Sequence, residues 1–329
     1  MNKKKINLRY VDTMSKNYKD EVLWKLLTEW YDIDESLEPD YIIHGGMGTN
    51  FTKYPGAIKI QIVGENIVPD FNVFDYAIGF DYMKFGDRYV RVPLYVFYDA
   101  YQKMLSETKT ITKEEACNRK FCCFVVSNSK YADPIRDEFF FKLNKYKKVD
   151  SAGKHLNNIG GGFLKDKLEF VSQYKFNIAF ENCSSDGYTT EKIMEPMSVG
   201  TIPIYWGNPS VEKDFNKKSF VNLNDFQTVD DCIDYIIKLD NDDSLYFEML
   251  NQSWMCNETL INYNEVLKSF FDEIFINNGP KRRVNIYGRQ SVLYTQLLKF
   301  YIHSDPTRAL KHKIFKLINI IKSRIHFKI

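Results

Sequence analysis

Short apolar runs at residues 6–11, 41–44, 58–63, 76–80 and 89–98 punctuate the first third of the chain, with one helical pattern at 18–30 whose apolar positions recur at a spacing near 3.6. Short apolar runs of this length are read as strands. Strands alternating with helices predict a parallel α/β domain. The polar stretch 103–120 (KMLSETKTITKEEACNRK) marks a boundary, and beyond it the plan repeats. The second half reads as a strand over 120–127, a helix over 133–145, a loop at Gly160-Gly161-Gly162, a helix over 166–174 and a strand over 175–180. A helix from about Thr190, a strand over 201–206 and a helix over 229–239 complete the pattern. The expected class is α/β, with two doubly wound domains facing across a cleft, divided as 1–115 and 116–280 with a basic amphipathic tail at 281–329. No repeat of period 20–50 is visible.

Composition supports two real cores, since 44% of the 329 residues are hydrophobic and 16% aromatic,. Charge changes the picture more. Residues 281–329 hold 12 Lys/Arg against the single acid Asp305, whereas residues 1–280 hold 33 basic and 42 acidic residues. An acidic body without a basic, aromatic-interleaved stripe argues against nucleic acid, while the tail suits an anionic membrane surface. The six cysteines at 117, 122, 123, 183, 232 and 256 follow no disulfide framework and have no histidine at zinc spacing, so reduced core thiols and no metal site are expected,. The start MNKKKINLRYVD lacks the apolar core of a secretory signal, and no stretch approaches 18 apolar residues,. The chain is therefore expected to be neither secreted nor membrane-spanning.

The densest chemistry lies in Phe176-Asn177-Ile178-Ala179-Phe180-Glu181-Asn182-Cys183-Ser184-Ser185-Asp186-Gly187-Tyr188-Thr189-Thr190-Glu191-Lys192, followed by Gly200-Thr201-Ile202-Pro203-Ile204-Tyr205-Trp206-Gly207. A buried strand ends in polar residues, a short loop comes next, and a helix opens at Thr189 or Thr190. Ligands of open α/β sheets sit past the carboxyl ends of strands, and helix amino termini attract phosphate. Glu181 and Asn182 at the strand end, with Glu191 and Lys192 in the first helical turn, are placed to meet a nucleotide. Lys192 can compensate a diphosphate leaving group. Spacing alone leaves an ordinary capped helix with solvated charges as the alternative.

The segment 175–226, beginning KFNIAFENCSSDGYTTEKIMEPMSVGTIPIYWG, resembles the signature block of the α-1,3-fucosyltransferases, glycosyltransferase family 10, most nearly those of Lewis-antigen-making bacteria. Residues 64–98 (GENIVPDFNVFDYAIGFDYMKFGDRYVRVPLYVFY) and 123–146 (CFVVSNSKYADPIRDEFFFKLNKY) resemble two further blocks of the same family, in the same order. The resemblance implies a GT-B architecture, with an acceptor-binding domain at 1–115 and a GDP-fucose-binding domain at 116–280. It makes Glu65, in Gly64-Glu65-Asn66, the general base and places Arg136 on the donor diphosphate. Asn182, Tyr188, Glu191 and Lys192 match positions that hold guanosine, ribose and phosphate, with Lys192 on the diphosphate side. Implied too are inverting transfer of L-fucose to the 3-hydroxyl of GlcNAc or Glc in N-acetyllactosamine- or lactose-type glycans, and no cofactor or metal. The rival readings are a transferase using another GDP-sugar and a non-catalytic nucleotide-sugar or glycan binder.

Inverting transfer is one in-line displacement, for which one carboxylate base and a cationic phosphate site suffice. Glu65 comes just after the run 58–63 and should project into the cleft; without the resemblance it reads as a surface Glu, and Arg136 as a solvated helix charge. Asp32-Ile33-Asp34 has the shape of a metal-binding Asp-x-Asp, yet is expected to close a charged helix. Gly160–Gly162 lacks the spacing of a P-loop. His44, His155, His303, His312 and His326 form no cluster in sequence, so no histidine mechanism is expected. Pro196 should leave the helix after Lys192 short or bent. The repeated heptads of some bacterial members are missing. The tail alternates Lys311, Lys313, Lys316, Lys322, Arg324 and Lys328 with Ile and Phe positions, as a membrane-surface helix does,. The expected location is the inner face of a bacterial cytoplasmic membrane.

Overall fold

The computed structural model describes residues 3–284 apart from 14, 16, 47, 107–110, 128, 161–163 and 256–260, together with 296 and 297. The glycine run beyond Gly160, Cys256 and the basic tail beyond Val284, residues 296 and 297 apart, thus lie outside the described residues.

The first half forms a parallel sheet of six strands: β1 (Lys5–Val11), β2 (Asp32–Asp34), β3 (Tyr41–His44), β4 (Ile58–Ile62), β5 (Tyr76–Gly79) and β6 (Tyr89–Arg91), in the order β2-β1-β3-β4-β5-β6. Every residue of β3, β4 and β5 is buried, Lys59 and Gln61 of β4 included, as in the central strands of a parallel sheet covered on both faces. Helix α1 (Val22–Trp30) comes after a short 3-10 turn at Tyr18–Asp20, and buries Leu23, Trp24 and Leu27 against the sheet. The run 89–98 is not one strand. Pro93, with no N–H to give a ladder, ends β6, and Leu94–Phe97 coils into a 3-10 turn before helix α2 (Asp99–Ser106),.

After α3 (Lys113–Cys117) the second sheet is built from β7 (Lys120–Phe124), β8 (Val149–Ser151), β9 (Tyr174–Phe180), β10 (Ile202–Trp206) and β11 (Val221–Asn222). All are parallel, in the order β11-β10-β9-β7-β8. Helices α4 (Ile135–Tyr146), α5 (Lys167–Val171), α6 (Glu191–Ser198) and α7 (Val229–Asn241) accompany these strands. Cys122, Cys123 and Cys232 are buried, whereas Cys117 and Cys183 are only partly so; all five described cysteines are unpaired. Cys117 and Cys183 are therefore not core thiols.

Two later helices, α8 (Asp243–Leu250) and α9 (Tyr263–Asp272), come after the second sheet. Helix α9 returns to the first domain. Tyr263, Leu267, Phe270 and Phe271 join the core beneath the first sheet, the Tyr31 hydroxyl donates to Asp272 at 2.6 Å, and the Phe275 ring sits 4.7 Å from that of Tyr41. One apolar cluster runs across both domains, taking in Ile193, Met194 and Tyr205 from the second.

Candidate active site

All strands of each sheet run the same way, so each domain gathers its loops at one carboxyl edge, and those two edges face each other. Phe80, just past β5, meets the Tyr188 ring edge-on at 5.1 Å. Gly187 carries φ +81°, and a Cβ on it would lie 2.5 Å from the Phe80 carbonyl oxygen, so only glycine lets the two loops approach this closely,. Beyond this contact the Asn66 side chain donates to the Cys183 sulfur at 3.0 Å. A buried clamp lies behind it: Arg91 holds Asp214 through both oxygens, at 2.6 and 3.0 Å, while the same guanidinium donates to the Tyr263 hydroxyl at 2.8 Å.

Glu65 stands exposed in the loop that leaves β4, on the cleft side, close enough for its charge to act on Tyr188. Tyr188 itself is buried, and burial, with the charge of Glu181 next, pushes its hydroxyl well above the usual phenol range.

Opposite, β9 gives way to Glu181 and Asn182. Arg136 in the first turn of α4 is only 1% exposed, not a solvated helix charge. One of its nitrogens donates to the Phe180 carbonyl at 3.1 Å and to the Asn182 side-chain oxygen at 2.7 Å. Its Nε and Nη1 are buried with no acceptor among the described residues. Burial lowers its pKa, and the carboxylate of Glu181 works against that fall.

Thr190 caps α6, so the helix opens with Glu191 and Lys192. The fully buried Glu181 carboxylate accepts from the Thr190 amide at 2.7 Å and from its hydroxyl, and pairs with the Lys192 ammonium at 3.3 Å. Burial drives the Glu181 carboxyl up, while Lys192 opposes it. For Lys192 burial disfavours the cation, yet Glu181 and Glu191 outweigh it and hold the ammonium charged, above its ordinary range. Burial raises the Glu191 carboxyl too, but Lys192 and Lys167 outweigh it and keep the group below the usual carboxylate range. The helix runs through Pro196 and stops at Ser198, short as expected.

The structure thus brings Glu65, Arg136, Asn182, Tyr188, Glu191 and Lys192 to one cleft. Sequence reasoning assigned Asn208 no part. Fully buried, its side chain accepts from the Gly187 amide at 2.8 Å and donates to the Thr189 hydroxyl at 2.9 Å, which holds the loop that carries Tyr188. Its only sequence signal is its place just past β10, after Gly207, where a Cβ would strike Glu181. Asp32 and Asp34 form the outer edge strand β2 against the first half of β1, instead of closing a helix, and lie away from the cleft. The open depression of about 700 Å³ beside them, lined by Lys3, Lys19, Trp24, Asp32 and Glu35, holds none of the cleft residues. His155 joins Asp137 at 2.7 Å and Ser129 at 3.0 Å, tying the loop after β8 to α4.

Two parallel-sheet domains with their carboxyl edges apposed, one bearing the buried Arg136 and the partly buried Lys192 at helix starts, have the GT-B architecture. Residues 8–98 match the α-(1,3)-fucosyltransferase FucT N-terminal domain and residues 116–271 the glycosyltransferase family 10 (fucosyltransferase) C-terminal region; the chain belongs to glycosyltransferase family 10. It is 38% identical over 281 residues to the α-(1,3)-fucosyltransferase FucT of Helicobacter pylori, a match covering 74% of this chain and 58% of that protein. With α-(1,3)-fucosyltransferase B of Drosophila melanogaster it shares 36% identity over 34% of this chain and 28% of the relative. The chain therefore spans little more than half, or less, of the length of these relatives. A crystal structure of an α1,3-fucosyltransferase with GDP-fucose superposes with a TM-score of 0.72 at 32% identity, covering 87% of this chain and 94% of that one. An α-glucosyltransferase bound to UDP and DNA, at 9% identity and a TM-score of 0.54, shares the fold alone.

Proposed function

We propose that the chain transfers L-fucose from GDP-β-L-fucose, with inversion, to the 3-hydroxyl of GlcNAc or Glc in N-acetyllactosamine- or lactose-type glycans. The observation that carries the donor half is Arg136. An unpaired buried donor costs about 1–3 kcal/mol, and more when charged, so two such donors beside Asn182 and near Lys192 fit a diphosphate that completes them,. The acceptor half rests on Glu65, a carboxylate on the facing domain at the mouth of the cleft.

In this mechanism Glu65 takes the proton from the acceptor hydroxyl as its oxygen attacks the anomeric carbon. The bond from that carbon to the phosphate oxygen breaks on the opposite face, and Arg136 and Lys192 meet the charge that develops on GDP. One substitution at carbon inverts the centre. Asn182, Tyr188 and Glu191 hold the guanosine and ribose. Protein cations do the phosphate work, so no metal is required. The products are Lewis x-like, made on bacterial surface polysaccharide, and the basic tail holds the enzyme at the inner face of the membrane.

The test is incubation with GDP-fucose or GDP-mannose and a panel of lactose, type 1 and type 2 acceptors, with and without EDTA, and linkage read by NMR. An α-1,3-fucosyl product formed from GDP-fucose in EDTA is expected. Transfer from GDP-mannose alone, or nucleotide binding with no transfer at all, would turn the reading to its rivals.

A further inference from the structure

His155, in the loop after β8, joins three segments that meet beside the donor side of the cleft. Its Nε2 lies 2.7 Å from the Asp137 carboxylate and its Nδ1 3.0 Å from the Ser129 hydroxyl. A carboxylate can only accept, so Nε2 carries the hydrogen and donates to Asp137, which leaves Nδ1 of the neutral ring to accept from Ser129. The loop itself aims the ring. The His155 amide donates to the Val126 carbonyl at 3.0 Å, and a Cβ on Gly153 would collide with that same oxygen, so the loop lies directly against the end of β7. Leu156, next in sequence, holds φ +53°, a left-handed backbone that a residue with a side chain keeps only where its surroundings impose it.

Asp137 follows Arg136 in the first turn of α4. Pro134 at the N-cap contributes no capping side chain. Instead the Asp133 carboxylate accepts from the Ile135 amide at 3.0 Å, while the Asp133 amide donates to the Asn182 carbonyl at 2.8 Å. The turn is thus tied to the end of β9 on one side and held through Asp137 by His155 on the other. Consecutive helical residues point about 100° apart, so a side chain fixed at one of them sets the roll of the turn and the direction of its neighbour. Arg136 is the neighbour: it donates to Phe180 and Asn182, and its Nε and Nη1 are buried with no acceptor among the described residues. Burial disfavours its charge, and the carboxylates of Glu181 and then Asp137 oppose that effect. A misplacement of about 1 Å in a group of this kind is costly.

We propose that His155 is a positioning residue for donor binding: through Asp137 it fixes the first turn of α4 so that Arg136 presents Nε and Nη1 to the diphosphate. The inference rests on the donor reading above. Calorimetry with GDP on the full chain tests it, together with KM for GDP-fucose and for N-acetyllactosamine. His155→Ala should weaken GDP binding roughly 5- to 20-fold and raise KM for GDP-fucose alike, with KM for the acceptor unchanged. His155→Gln keeps a donor near the place of Nε2 and should restore most of that affinity. His155→Asn keeps a polar group only near the place of Nδ1 and should not. In an Arg136→Ala background His155→Ala should have no further effect on GDP binding. Equal GDP affinities of the Gln and Asn variants, or losses from His155→Ala and Arg136→Ala that simply add, would overturn the inference; the Gln and Asn comparison decides even where His155→Ala fails to fold. An Arg136→Ala chain that binds GDP as the wild type does would sink the donor reading and this inference with it. A loss in Arg136→Ala that His155→Ala does not share overturns the inference alone.

Discussion

Glu65 is exposed and Arg136 buried, and each side of the cleft reflects that difference. A general base at the mouth of a cleft acts only in the transition state. Glu65→Gln should therefore leave GDP binding near the wild-type value and lower turnover by a factor of about 10² or more; unchanged turnover removes Glu65 from the chemistry. Arg136 donates to Asn182 and to the Phe180 carbonyl while two of its nitrogens have no acceptor among the described residues. Losing a charge-assisted hydrogen bond costs about 1.5–3 kcal/mol. Arg136→Ala and Lys192→Ala should each weaken GDP binding roughly 10- to 100-fold by calorimetry, and wild-type affinity in both would defeat the assignment. At this scale the sequence is informative where the motif is contiguous. Asn182, Tyr188, Glu191 and Lys192 fall within eleven consecutive positions and share one strand–loop–helix unit. It is silent where partners are remote: Arg91 meets Asp214 across 123 positions and Tyr263 across 172, and nothing in the local pattern of any of the three announces the clamp.

Among the elements, strands are easier to read than the turns and helices that connect them. Buried parallel strands announce themselves as apolar runs, so β3, β4, β5, β9 and β10 appear where expected. The run 89–98 misleads, because its apolar residues continue through Pro93 into a 3-10 turn whose side chains are buried by tertiary packing. Helix α9 escapes the sequence reading because its burial is set by the domain it returns to. The loop before α6 depends on Gly187. Gly187→Ala would combine a positive φ, costing about 1–2 kcal/mol, with a Cβ driven against backbone. Lost activity with a lowered melting temperature is expected, and a variant as active as wild type would show that the loops need not touch. Helix α9 is held by Asp272, whose carboxylate is kept below its ordinary 3.8 by Lys268 and Tyr31 despite the opposing effect of burial. A depressed carboxylate stabilises the fold above its unfolded pKa, and that contribution fades as pH falls through the folded value. Asp272→Asn should therefore melt below wild type at pH 7, with the difference closing as pH falls through and below the lowered folded value; a gap independent of pH would locate the effect elsewhere.

For the whole molecule, packing and charge divide the chain differently. The two sheets are separate, yet one apolar cluster and the Arg91–Asp214 clamp bind them together, so the cleft is built into the fold. Charge divides near residue 281 instead, with an acidic body before it and 12 Lys/Arg against one acid after it. From Arg308 to Lys328 there are seven Lys/Arg and no Asp or Glu. Each basic residue near an anionic surface is worth about 1 kcal/mol, and the interleaved Ile and Phe positions add a half-buried apolar face. Several kcal/mol of reversible attachment would hold the chain at such a surface. The competing arrangement is a tail packed back on the body. A chain ending at Asp305 distinguishes the two: it should stay folded, keep its turnover on soluble oligosaccharides and cease to sediment with anionic liposomes, while the full chain sediments at low salt and is released at high salt. Precipitation or loss of turnover on truncation would make the tail part of the fold.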